Sequence, residues 1–172
     1  MSILIVDDSP PVLRLLHATL DRAGYKKIHC LESGDKALEF LGITPANDQH
    51  PDIDCILLDV VMPGTDGIET CRIIKEHPDY QDTPILMVTI RNEQETLKHA
   101  FEAGASDYII KPTGELELTA RVKSAIKLKK EIDTRKAREQ DLIYLAKELK
   151  KANRLMAELT ITDEVSKVGN RR

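Results

Sequence analysis

Short blocks of Ile, Leu and Val alternate with longer stretches whose apolar residues recur every three or four positions, from residue 3 to about residue 128. The blocks are Ile3–Val6, Ile28–Leu31, Cys55–Leu58, Ile85–Val88 and Tyr108–Ile110. They lack polar alternation, as strands covered on both faces do. Between them, Pro10–Ala23, Gly34–Leu41, Gly67–His77 and Glu93–Ala103 read as amphipathic helices, and another helix opens at Gly114-Glu115. Ser9 before Pro10-Pro11 predicts a side-chain cap followed by proline in the first turn. Gly24 and Gly104 stand where left-handed residues close helices. Five βα units imply an α/β fold with a parallel sheet, right-handed crossovers and helices on both faces. Gly42–Asp54, polar with two prolines, reads as a surface loop.

From Leu116 to about Leu159 there is neither proline nor glycine, which predicts one long helix or two abutting ones. Leu142, Leu145, Leu149, Ala152, Met156 and Leu159 form a heptad seam suited to a coiled coil. An upstream stripe of Leu118, Val122, Ala125 and Ile132 has a different register, and the nearly all-polar Asp133–Asp141 separates the two. A stutter or local unwinding would reconcile them, and two competing registers are one way to build a switch.

Composition narrows the class. Apolar residues are 41%, charged residues 31% and aromatics 3%, so the core is aliphatic. No apolar run approaches the roughly 20 residues a membrane span requires. The start, Met1 to Asp8, meets acid after four apolar residues and does not read as a signal peptide. A cytoplasmic location is expected. Cys30, Cys55 and Cys71 are odd in number and read as free, buried thiols of a reducing compartment. Residues 1–114 hold 10 Lys+Arg against 19 Asp+Glu, or −9; residues 115–172 hold 15 against 10, or +5. An acidic globular part suits a cation site, and a mildly basic tail is commonly a solvated helix.

Ligands of open parallel sheets bind beyond the carboxyl ends of the strands. Those ends carry Asp7-Asp8, Asp59, Thr89 and Lys111-Pro112. Three adjacent carboxylates repel, so a divalent cation is needed to hold them ionised. Oxygen ligands with room for water suit Mg²⁺. A carboxylate beside such an ion can attack an activated phosphorus, while a lysine and a hydroxyl stabilise the transferring oxygens.

This pattern resembles the receiver domain of bacterial response regulators. The matching stretches are Ile3–Ser9, Leu57–Gly67, Pro84–Thr89 and Gly104–Pro112, in order. The resemblance implies a doubly wound, flavodoxin-like five-stranded sheet of order 2-1-3-4-5. It implies that Asp59 accepts a phosphoryl group from a sensor histidine kinase or a small phosphodonor. It also implies that Asp7, Asp8, Asp59 and the backbone carbonyl of Val61 surround Mg²⁺, and that Lys111 pairs with the phosphoryl group. Thr89 is then the switch hydroxyl and Tyr108 the coupled aromatic. The Lys111-Pro112 bond is expected to be cis. Arg91 and the Val61 side chain, near the rim, are expected to tune hydrolysis of the phosphoryl group.

Leu159–Arg172 resembles the entry of a GGDEF diguanylate cyclase domain, matching at Thr162, Asp163, Asn170, Arg171 and Arg172. Lys167 departs from it, standing where glycine is usual. The implied organisation is a receiver over 1–128, a coiled-coil helix over 129–160 and the start of a truncated cyclase over 161–172. The chain as given lacks the GTP-binding loop and is not expected to be an enzyme, whereas its parent is expected to make cyclic di-GMP. A homodimer through the C-terminal helix is expected, with no nucleic-acid or membrane partner. The alternative is a receiver whose coiled coil docks a protein. A DNA-binding reading is weaker, because the basic residues are interleaved with acids and no helix-turn-helix pattern follows residue 128.

Overall fold

The computed structural model describes residues 1–44, 50–90 and 94–169, with side chains described up to residue 156. Five strands, β1 (Ser2–Val6), β2 (Lys27–Leu31), β3 (Cys55–Asp59), β4 (Ile85–Thr89) and β5 (Asp107–Ile110), alternate with α1 (Pro10–Arg22), α2 (Gly34–Phe40), α3 (Gly67–Glu76), α4 (Gln94–Glu102) and α5 (Glu115–Gly169). All neighbouring strands pair in parallel, in the order β2-β1-β3-β4-β5. The order reverses beside β1, so β1 and β3 flank the switch point with Val6 opposite Leu58.

Period-two alternation divides the strand residues between two buried layers. Ile3, Ile5, Leu57, Leu86 and Val88 pack with Leu16 and Leu20 of α1 and Leu118, Val122 and Ile126 of α5. Leu4, Val6, Ile56, Leu58 and Met87 pack with Leu38 of α2, Ile74 of α3 and Ala100 of α4. The central strands β1, β3 and β4 are buried throughout. The edge strand β2 is not: Lys27 and Cys30 are exposed. Coverage on both faces therefore holds for the centre and fails at this edge. Of the three thiols only Cys55 and Cys71 are buried, and Cys30 lies open.

Ser9 does not cap α1 as expected. Its side chain makes no cap bond, and its N–H donates to Asp7 Oδ1 at 2.9 Å. Pro10 and Pro11 carry no N–H, so of the two donors a side-chain cap serves, at the second and third helical positions, only that of Val12 remains. Asp66 does cap α3, accepting from the Glu69 N–H at 2.8 Å. Gly24 and Gly104 have φ of 95° and 96°, as their positions after helices require.

Two compact units divide the chain, Met1–Lys130 and Glu131–Arg172. In the first, Leu118, Val122 and Ala125 are buried in the layer shared with α1 on one face of the sheet, and so is Ile126. Arg121 holds the helix to β5 through Asp107 at 2.6 Å, and Arg22 meets Glu115 at 2.8 Å. Leu118, Val122 and Ala125 of the upstream stripe thus pack on their own sheet, whereas Ile132 is only partly buried and belongs to the second unit. The burial of Leu118, Val122 and Ala125 against the sheet leaves them unavailable to a dimer seam continuous with the downstream stripe. In the second unit Leu142, Leu145, Leu149 and Met156 are each more than half exposed in the single chain. The helix runs to Gly169, past the sequence estimate of about Leu159, and no proline interrupts it. Leu159 of the seam has no described side chain. Thr162 and Asp163 lie in helical backbone, and Asn170, Arg171 and Arg172 are outside the described residues.

Candidate functional site

The carboxyl ends of β1, β3 and β5 bring four charged side chains to one rim. Asp7 follows β1, and its N–H donates to the Leu31 carbonyl at 3.1 Å, so β2 fixes its backbone. Asp59 is the last residue of β3, paired with Val88 of β4. Lys111 follows β5, and its N–H donates to the Thr89 carbonyl at 2.8 Å. The Lys111-Pro112 bond is cis, as the resemblance implies. Lys111 Nζ lies 2.5 Å from Asp7 Oδ2 and 3.2 Å from Asp59 Oδ2. Carboxylate oxygens of Asp7, Asp8 and Asp59 all fall within 4.8 Å of one another.

Asp7 and Asp59 are almost wholly buried, and Asp8 is exposed. Burial pushes the Asp59 carboxyl above its usual range; the Lys111 charge pulls it back down, and the Asp7 charge pushes it up again. Hydrogen bonds from Lys111 and the Val61 N–H favour the ionised form. With all four groups charged, three carboxylates and one ammonium leave a net −2 of hard oxygen donors. That set fits a divalent cation of the magnesium type.

The loop after β3 is shaped by contact. A Cβ on Gly67 would stand 1.9 Å from the Asp59 carbonyl oxygen, so only glycine lets α3 begin there. The Gly67 N–H donates to the Val60 carbonyl at 3.0 Å, closing the turn. Gly64 has φ of 80°. Val61 turns its side chain outward, 42% exposed.

Thr89 is fully buried at the end of β4. Tyr108 is half-buried on β5, opposite Met87, with its ring edge-on to Phe101 of α4 at 6.0 Å and 81°. Phe101 was not singled out in the sequence; with Tyr108 it supplies two of the chain's six Phe and Tyr residues, a signal that was available. The structure therefore gathers Asp7, Asp8, Asp59 and Lys111. Thr89 and Tyr108 stand at their expected strand positions, and Arg91 lies outside the described residues.

The family is shown by comparison. The response regulator receiver domain matches residues 3–123, and the chain belongs to that family. The transcriptional regulatory protein ResD of Bacillus subtilis is 42% identical over 125 residues, covering 73% of this chain and 48% of ResD. The phosphate regulon transcriptional regulatory protein PhoB of Pseudomonas aeruginosa is 39% identical over 126 residues, covering 73% of this chain and 52% of PhoB. The chain thus spans about half the length of these curated relatives. A response regulator from Chloroflexus aurantiacus superposes with a TM-score of 0.65 at 35% identity, over 73% of this chain and 97% of that one. The manganese-bound form of the response regulator Rcp1 does so with a TM-score of 0.61 at 27% identity, over 72% of this chain and 89% of Rcp1. This chain is a two-component receiver, of the class phosphorylated by histidine kinases or small phosphodonors. No helix among the described residues is long and apolar enough to cross a membrane.

Proposed function

We propose that Asp59 is the phosphoacceptor and that its phosphorylation, in the cytoplasm, is read out by the C-terminal helix. The observation that carries this is the Asp59 carboxylate, nearly buried yet 3.2 Å from Lys111 Nζ, among two further carboxylates at the switch point of the sheet. An Asp59 oxygen attacks the phosphorus of a phosphohistidine or acyl phosphate. The new O–P bond forms as the P–N or P–O bond to the donor breaks, and the electron pair leaves with the imidazole or carboxylate. Asp7, Asp8, Asp59 and the Val61 carbonyl would hold Mg²⁺, which when bound supplies charge stabilisation to the transferring oxygens. Lys111 offsets part of the charge of the two buried carboxylates before transfer and can pair with a phosphoryl oxygen afterwards. The Thr89 hydroxyl, one strand away, is the donor that would move toward the new anion. Tyr108 is the half-buried ring whose packing against Phe101 that movement would alter.

Incubation with acetyl phosphate, followed by intact mass, tests the chemistry. A single adduct that requires Mg²⁺ and vanishes in Asp59→Asn is the expected result; no adduct, or one indifferent to the substitution, contradicts it.

For the output, the reading is a receiver over 1–128 and a dimeric coiled coil over 129–160 that controls a diguanylate cyclase begun at 161–172. It is supported by the exposed seam Leu142, Leu145, Leu149 and Met156 and by the cyclase-like Thr162, Asp163, Asn170, Arg171 and Arg172. ResD and PhoB are transcriptional regulators by name, but their similarity covers 125 and 126 residues and reaches no further than a receiver. The exposed seam equally suits the second reading, docking of a protein partner. Sedimentation of the chain with and without beryllofluoride, a phosphoryl mimic, separates them: a dimer that forms or changes shape supports the first, and a monomer in both states supports the second.

A further inference from the structure

A second cluster of ligand-type side chains lies at the opposite rim. Strand β3 begins at Cys55 and ends at Asp59, and α3 begins at Gly67 beside Asp59 and returns to Glu76. His50, ahead of β3, and His77 and Asp79, just past α3, therefore meet at the amino end of the sheet, away from the acidic site. A ring nitrogen of each histidine and a carboxylate oxygen of Asp79 lie within 4.8 Å of one another. The two imidazoles stack at 5.1 Å, and Asp79 Oδ2 stands 3.6 Å from His50 Nδ1 and 3.9 Å from His77 Nδ1.

The surroundings orient these donors. His50 Nδ1 is 3.1 Å from the Leu41 carbonyl, which can only accept, so this nitrogen carries the proton and the Nε2 lone pair is left to bind. A histidine that donates its other N–H to a backbone carbonyl is the usual outer-shell arrangement of a metal ligand. His77 Nδ1 accepts one long bond, 3.4 Å, from the Asp79 N–H. Tyr80 ties the two segments together: its hydroxyl lies 3.0 and 3.1 Å from the Leu41 and Pro51 carbonyls and shares its one proton between them.

We propose that His50, His77 and Asp79 form a binding site for a borderline divalent transition ion of the zinc type. Two imidazoles and one carboxylate are the donors such ions select, whereas the oxygen-only cluster at Asp59 suits magnesium. Tetrahedral ligands at zinc stand about 3.3 Å apart, from bond lengths near 2.0 Å. One ligand atom from each residue already lies within 4.8 Å of the others, so turning the side chains would bring them to that spacing, and all three residues reach the surface, where water can complete the shell. The ion would bridge the segment before β3 to the end of α3.

Calorimetric titration of the full chain with Zn²⁺, in excess Mg²⁺, tests this. One ion per chain is expected, with affinity reduced at least tenfold in His77→Gln and in Asp79→Asn. Binding lost in Asp59→Asn but retained in His77→Gln would put the ion in the acidic cluster and overturn the proposal, as would no saturable binding. Ring ¹⁵N spectra of the unsubstituted chain avoid any question of folding: zinc should shift His50 and His77, and shifts at His17, His29 or His99 instead would overturn it.

Discussion

Burial disfavours charge on Asp59, and the nearby Asp7 adds to the effect. Its carboxyl pKa is raised on folding, so this group's contribution to stability falls as pH rises from the ordinary carboxylate range through the raised value. Asp59→Asn removes that charge. In metal-free buffer at neutral pH its melting temperature should exceed that of the unsubstituted chain by a few degrees, the gap vanishing in acid below the ordinary carboxylate range. Magnesium should narrow the gap, since the unsubstituted site binds it better. Lys111→Ala runs the other way. It strips the ammonium from two nearly buried carboxylates, an uncompensated arrangement that costs roughly 3–5 kcal/mol. Its denaturation midpoint should drop without Mg²⁺ and recover with it, more than the unsubstituted chain gains. Gly67→Ala would force a Cβ into the Asp59 carbonyl, and loss of about 2 kcal/mol or more is expected in urea unfolding.

Elements show where sequence reading holds and where it stops. The five strands and first four helices were legible because burial on two faces leaves short unbroken aliphatic blocks between periodic stretches. Asp7, Asp59, Thr89 and Lys111 were legible because each directly closes such a block. The open edge at β2 was signalled only by His29 within Ile28–Leu31, and only one neighbour pairs with this strand. Ser9 makes no side-chain cap bond, and Pro11 leaves only the Val12 N–H as a donor such a cap could serve. The long helix hid its division of labour: its upstream apolar residues serve the sheet, its downstream ones face out of the single chain. Leu118→Ala should therefore lower the receiver's stability by about 2–5 kcal/mol. Leu149→Ala should leave that stability unchanged and weaken self-association, read by sedimentation equilibrium.

For the whole molecule, chemistry is divided between the two ends of one sheet, a hard oxygen site at the carboxyl ends and an imidazole site at the amino ends. The helix joins the receiver's core to an exposed apolar seam without a proline or glycine between Leu116 and Leu159. Within the first unit, Arg121 of α5 is tied to Asp107 of β5 at 2.6 Å. On the proposed reading Asp59, beside the two further carboxylates of Asp7 and Asp8, receives the phosphoryl group. The most direct measurement is reduction of the acetyl-phosphate-treated chain with borohydride, which converts an acyl phosphate to an alcohol, followed by peptide mass mapping. Magnesium-dependent homoserine at position 59 is the result the account predicts; modification at Asp7 or Asp8, or none at all, would contradict it.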